Sequence, residues 1–128
     1  MKIMFICTGN TCRSPLAESI FASEIEKFKP HNISFKSAGL SVFSADQTSE
    51  NSKIVCEELG IELISKYSKP LLYEDLEDTD IFFVMTQSHK NALLQYVSEE
   101  KIYLPKTQIP DPYGQDIEAY RACASALL

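Results

Sequence analysis

Arginine is nearly missing from this chain: of 128 residues, only Arg13 and Arg121 carry a guanidinium group. A phosphate site built on arginine therefore has two possible addresses. Positive charge is in deficit as well, and the formal net charge is -6 at pH 7. A field of that sign excludes a broad nucleic-acid or anionic-membrane surface, although an anion can still be bound locally. No apolar run approaches the roughly 20 residues of a membrane span. Residues 1–7 lack the basic start, the longer apolar stretch and the cleavage site of a signal peptide. The four cysteines, Cys7, Cys12, Cys56 and Cys123, lack the spacing of a secreted disulfide framework. Hydrophobic residues make up 45% of the chain, enough for one core and hardly two. The expectation is a cytoplasmic, reduced protein forming one domain over residues 1–128. It should be a monomer or weak oligomer with no nucleic-acid or membrane partner.

What is present alternates between two patterns. Ile3-Met4-Phe5-Ile6 is a continuous apolar run, as in a strand buried on both faces of a parallel sheet. A polar, glycine-containing loop follows, and Ser14-Pro15 is a helix start with proline in the first turn. Leu16, Ile20, Phe21, Ile25 and Phe28 then recur at helical spacing, with Glu18, Glu24 and Glu26 on the wet side. Pro30 should end that helix. Residues 33–36 read as a second strand, running into a turn at Ser37-Ala38-Gly39, and residues 40–48 as a loop. Residues 49–59 read as a helix stopped by Gly60. Residues 77–80 form an acidic turn before a third strand at 81–85, and an amphipathic segment occupies 87–97. A fourth strand at 101–104, a proline-punctuated loop at 105–114 and a final helix at 116–128 complete the chain. Such alternation indicates an α/β fold: a single doubly wound domain with a four-stranded parallel sheet flanked by helices. In such sheets, ligands bind beyond the carboxyl ends of the strands, where strand order reverses.

The loop after the first strand reads Cys7-Thr8-Gly9-Asn10-Thr11-Cys12-Arg13-Ser14. Closing back on a helix N-terminus, it would aim backbone N–H groups and the helix dipole at one point, an anion cradle that also favours a Cys7 thiolate. Arg13 would present a planar fork to two phosphate oxygens. Each residue has a plainer reading when taken alone. A strand-terminal cysteine is usually a small buried hydrophobe, and a lone arginine usually lies on the surface. The joint spacing of cysteine, glycine, arginine and helix start favours the phosphate site.

Cys7 to Ser14 is a C-x5-R-S signature. With Pro15-Leu16-Ala17-Glu18, Ser37-Ala38-Gly39 and Asp111-Pro112-Tyr113 in order along nearly the whole chain, it resembles the low-molecular-weight protein tyrosine phosphatase family. The resemblance implies a metal-free, cofactor-free phosphatase acting on phosphorylated proteins. Cys7 would be the nucleophile, Arg13 the clamp and Asp111 the general acid. Thr8, Gly9, Asn10, Thr11, Cys12, Ser14 and Tyr113 would surround the phosphate or substrate, and Ser37 would support the loop. It also implies a final helix longer than one ending at residue 128.

Thr11 stands where tyrosine-specific members usually carry isoleucine. Cys-Thr-Gly-Asn-Thr-Cys-Arg-Ser is similar to the bacterial protein-arginine phosphatase branch, which favours phosphoarginine over phosphotyrosine; a neutral substitution is the plainer reading of Thr11. Many members place a loop-supporting histidine near Lys66, where this chain reads Ser65-Lys66-Tyr67-Ser68-Lys69. His31 and His89 read as ordinary surface or helix residues. Cys12 either pairs reversibly with Cys7, shielding it from overoxidation, or merely fills space. Thioredoxin-coupled arsenate reductases resemble this loop but need further cysteines after the third strand, and residues 86–97 contain none. A non-catalytic phosphoanion-binding module would need neither Cys7 nor Asp111. A zinc site would find two cysteine ligands at most in Cys7 and Cys12.

Overall fold

The computed structural model describes residues 1–28, 32–42, 44–106, 109, 111–113 and 115–127. Pro30, His31 and the last residue, Leu128, lie outside them, and with them the expected helix stop at Pro30 and the reading of His31.

Four parallel strands form one sheet in the order β2-β1-β3-β4: β1 (Lys2–Cys7), β2 (Ser34–Gly39), β3 (Ile81–Val84) and β4 (Ile102–Tyr103). Lys2 to Cys7 pair residue by residue with Ser34 to Gly39, and Ile6 pairs with Val84 on the other side of β1. Ser37-Ala38-Gly39 is therefore strand to its last residue, and the expected turn begins after it. Strand order reverses between β1 and β3, so the crevice predicted to hold a ligand opens at the end of β1.

Alternation along β1 sorts its side chains between two helix layers. Phe5 and Cys7 face a cluster with Leu16 and Ile20 of α1 (Arg13–Phe28), Val55 of α2 (Glu50–Leu59), and Tyr120 and Cys123 of α5 (Ile117–Leu127). Met4 and Ile6 face Phe82, Val84 and Leu93, the last from α4 (Gln87–Leu93), with Leu76 of α3 (Tyr73–Asp78) packed alongside. Phe82, Met4, Ile6 and Leu16 are wholly buried, each contributing about 1.5–3 kcal/mol of transfer free energy.

Three further expectations change. Helix α3 stands where only the acidic turn at 77–80 was read. Its Leu76 is the one apolar anchor in Tyr73-Glu74-Asp75-Leu76-Glu77-Asp78, too little to show a helical period. The segment at 87–97 is helical only to Leu93. Glu18 is buried rather than wet: it accepts hydrogen bonds from Ser37 Oγ (2.7 Å) and from Ser65 Oγ, which satisfy a carboxylate that water does not reach.

Gly39 ends β2 under the loop that follows β1. A Cβ there would lie 2.5 Å from Val42 Cγ2, 2.7 Å from the Thr8 carbonyl oxygen and 3.0 Å from the Asn10 nitrogen. Gly39→Ala should therefore lower stability by about 1–3 kcal/mol, the cost of overpacking a tight site. It should also depress the phosphatase activity that the resemblance implies, by displacing Thr8 and Asn10. Urea unfolding and steady-state kinetics check both effects, and unchanged stability would show that the loop is free to move.

Candidate active site

Cys7, the last residue of β1, brings a buried sulfur to the sheet's carboxyl edge. The sulfur lies 3.0 Å from Ser14 Oγ and receives the Asn10 backbone N–H at 3.3 Å. Asn10 adopts φ 54, the left-handed region that asparagine tolerates better than most residues. Its side chain locks the turn. Nδ2 donates to Ser14 Oγ (2.7 Å), and Oδ1 accepts from the Lys69 backbone N–H (2.8 Å). Since Ser14 Oγ already accepts from Asn10, its own O–H is left to donate to the Cys7 sulfur. Helix α1 begins at Arg13, so the unpaired N–H groups of its first turn meet the same loop.

Arg13 is buried. Its Nη1 donates to the Ile109 carbonyl (3.0 Å) and its Nη2 sits 3.7 Å from Asp111 Oδ2. Ile109 in turn donates its N–H to the Met85 carbonyl at the end of β3 (2.8 Å), which ties the acid-bearing segment to the sheet. The Nε of Arg13 is buried without a partner among the described residues, and an anion in the loop would supply the acceptor it lacks. Arg121, the other possible address, is spent on Glu58, which it holds through both carboxylate oxygens (3.0 and 2.6 Å) on the surface.

A cavity of about 700 Å³ opens above the sulfur. Cys7, Thr8, Gly9, Thr11, Cys12 and Arg13 line its base, and Asp111 and Tyr113 its mouth. Asp111 is half exposed, its Oδ1 accepting the Tyr113 N–H (3.0 Å), and Tyr113 is 72% exposed. Asn10 and Ser14 do not line the cavity; both are wholly buried behind the sulfur and act on it from below. Ser37 does not reach the loop either. Its hydroxyl bonds to Glu18 and Ser65, while loop support passes through Asn10, the Lys69 backbone and Gly39. The segment near Lys66 thus holds the loop by a main-chain N–H, with no histidine needed. Cys12 Sγ lies 3.3 Å from Tyr120 Oη, and burial together with Cys12 pushes the Tyr120 phenol up to about 12. Cys56 and Cys123 are buried, and burial raises both thiols, Cys123 to about 12.

His89 is the residue sequence reasoning missed. It is buried on α4, and its Nε2 lies 3.0 Å from Thr8 Oγ1, so it braces the loop after β1 from the β3 side. Burial first, and then the Arg13 cation, hold its pKa down to about 4, with Asp111 opposing. The imidazole is therefore neutral at pH 7. Only its place one turn after β3, the strand beside β1, could have signalled this role.

Because the folded pKa of His89 lies below its unfolded value near 6.5, the unfolded chain takes up the proton first as pH falls. This contribution to stability is intact above pH 6.5 and is lost progressively down to about pH 4. By pH 5 the loss should amount to about 2 kcal/mol. Urea unfolding of the protein and of His89→Asn at pH 7 and pH 5 checks this. The histidine form should lose about 2 kcal/mol more than the variant, and parallel losses would contradict a neutral, buried His89.

The model of the family described as "Low molecular weight phosphotyrosine protein phosphatase" matches residues 2–127. A protein-arginine-phosphatase of Geobacillus stearothermophilus is 33% identical, the match covering 98% of this chain and 88% of that protein. The low molecular weight protein-tyrosine-phosphatase PtpB of Staphylococcus epidermidis is 38% identical, with coverage of 94% and 86%. Among solved structures, a low molecular weight protein tyrosine phosphatase from T. tengcongensis superposes with a TM-score of 0.89 at 33% identity, covering 99% of this chain and 92% of that one. The YwlE arginine phosphatase, in a mutant with a phosphorylated active-site serine, gives 0.87 at 30% identity, covering 99% and 88%. This chain belongs to the low molecular weight phosphotyrosine protein phosphatase family and is a protein phosphatase.

Proposed function

We propose that the enzyme hydrolyses phosphoarginine side chains of proteins, in the reducing cytoplasm, through a phosphocysteine formed on Cys7. The observation that carries the substrate reading is the chemistry of the cavity wall. Thr11 offers a hydroxyl where an aromatic substrate would want an apolar surface, and the Asp46 carboxylate and the Asp111 carboxyl, the proton donor of the first step, share the cavity with it. A guanidinium bears positive charge and several N–H donors, and those groups suit it.

In the first step the Cys7 sulfur attacks phosphorus in line. The S–P bond forms as the P–N bond breaks, and Asp111 gives its proton to the departing guanidinium nitrogen. Arg13 holds the equatorial oxygens, its unpartnered Nε included, while charge redistributes. In the second step Asp111, now a carboxylate, takes a proton from water as the water oxygen attacks phosphorus. The S–P bond breaks, phosphate leaves, and the Ser14 hydroxyl and Asn10 N–H stabilise the returning thiolate. No metal enters either step.

Phosphotyrosine is the second reading. It is favoured by Tyr113, whose exposed ring at the mouth offers a stacking face to an aromatic substrate.

Cys7→Ser should bring turnover to background while inorganic phosphate still binds, and Asp111→Asn should cost about 10²–10⁴-fold in kcat. Full activity in the Cys7 variant would refute the mechanism. The substrate is tested by kcat/KM on phosphoarginine and phosphotyrosine peptides. The native enzyme should prefer phosphoarginine, and Thr11→Ile should move the ratio toward phosphotyrosine by about tenfold, the effect of one well-placed polar contact. A ratio unmoved by the substitution would assign specificity elsewhere.

A further inference from the structure

Beside the catalytic cavity lies a second concavity of about 470 Å³. A short antiparallel ridge divides the two. Thr48 N–H donates to the Lys66 carbonyl (2.9 Å) and Ser68 N–H to the Asp46 carbonyl (2.7 Å), so Gln47 and Tyr67 stand opposite each other on it. Asp46 and Ser68 line the catalytic side, while Thr48, Lys66 and Tyr67 line the far side. Gln47 lines both. The floor of the groove is apolar, made by Cys56, Ile61 and Leu63. Its rim carries Glu50, Glu57 and Glu62 against Lys53 and Lys66, and none of these five forms an ion pair among the described residues.

We infer that this groove receives the stretch of substrate polypeptide adjoining the phosphorylated side chain, and that it selects a basic residue there. The inference rests on the reading of the substrate as a protein side chain. A side chain reaching down to Cys7 leaves its own backbone at the cavity mouth, and the polypeptide must continue across the rim. The ridge is one strand pair wide, about 5 Å, which two or three extended residues at about 3.3 Å each will cross. The groove shares a wall with the cavity, so a chain crossing at Gln47 enters it directly. An apolar floor beneath a rim in which carboxylates outnumber ammonium groups matches one kind of side chain best: a long aliphatic stem ending in a cation. Tyr67, 54% exposed on the ridge, adds a ring face for that cation to pass over.

The test compares three substrates: the free phosphoamino acid that the enzyme hydrolyses better, a phosphopeptide with lysine or arginine two to four residues from it, and the same peptide with glutamate there. The native enzyme should prefer the basic peptide to the acidic one. The double variant Glu57→Lys/Glu62→Lys, both exposed and outside the catalytic cavity, should lose about tenfold in kcat/KM on the basic peptide, mainly through KM, as two reversed surface charges imply. Its activity on the free phosphoamino acid should stay within about twofold, since no contact to that substrate is altered. Tyr67→Ala, which alters no charge, should also erode the preference for the basic peptide. Equal native rates on the two peptides would overturn the inference, as would a loss shared equally by all three substrates. Hydrolysis of the free phosphoamino acid with none of either peptide would instead overturn the protein-substrate reading, and the groove's role with it.

Discussion

Asn10 holds its backbone at φ 54 in the middle of the loop after β1, and the active site hangs from that one left-handed residue. The turn it makes directs its own N–H to the Cys7 sulfur, while its side chain bridges Ser14 on one side and Lys69 on the other. A glycine would reach the same backbone angle but could make neither side-chain bond, and most other residues would resist the angle. Gly39 is the counterpart beneath. With no Cβ it allows Thr8 and Asn10 to lie against the end of β2, so the loop closes over the sheet instead of standing away from it. Pre-organisation here is covalent geometry and packing, already in place before any phosphate arrives.

The second constraint is electrostatic. On the proposed function a chain of net charge -6 has to hold a phosphate, so its attraction would have to be concentrated at one place. Burying Arg13 achieves this, because a guanidinium shielded from water acts at short range with little screening. Its neighbours are arranged to suit. The Ile109 carbonyl and Asp111 engage two of its nitrogens, Nε has no partner among the described residues, and His89 stays neutral beside it. A charged imidazole so near Arg13 would repel it, and burial has removed that charge.

How much of this was legible in the sequence depended on whether the signal was local. The strands, α1, the Gly60 stop and the cysteine loop are carried by contiguous residues, and they could be read directly. Asp111 could be read only beside the loop motif and the family resemblance, since Asp-Pro-Tyr-Gly by itself is a turn. Glu18 was placed on the wet side because helical periodicity sees its own helix and not Ser37 or Ser65, which arrive from 19 and 47 residues away. His89 failed for the same reason, being 81 residues from the Thr8 it braces. Helix α3 failed differently: six mostly acidic residues with a single apolar anchor give periodicity nothing to count.

The division of labour follows from the topology. In the proposed mechanism chemistry comes from β1 and the loop welded to its end, with Asp111 reached across the β3 edge through Met85 and Ile109. In the same reading recognition falls to segments that only border the sheet: the described residues of the 40–48 loop, the 66–68 ridge and the exposed Tyr113. The first set is tied down by buried hydrogen bonds at nearly every residue and can change little without losing the sulfur's environment. Most described residues of the second are exposed and can vary at less structural cost, although Ser68 is buried and bonded to Asp46 and Ser44. Thr11 is the exception, a wall of the substrate cavity placed inside the rigid loop. Its side chain makes one hydrogen bond among the described residues, 3.6 Å to Cys12 Sγ, so in the proposed reading a substitution there would alter what is recognised more than how phosphate is held.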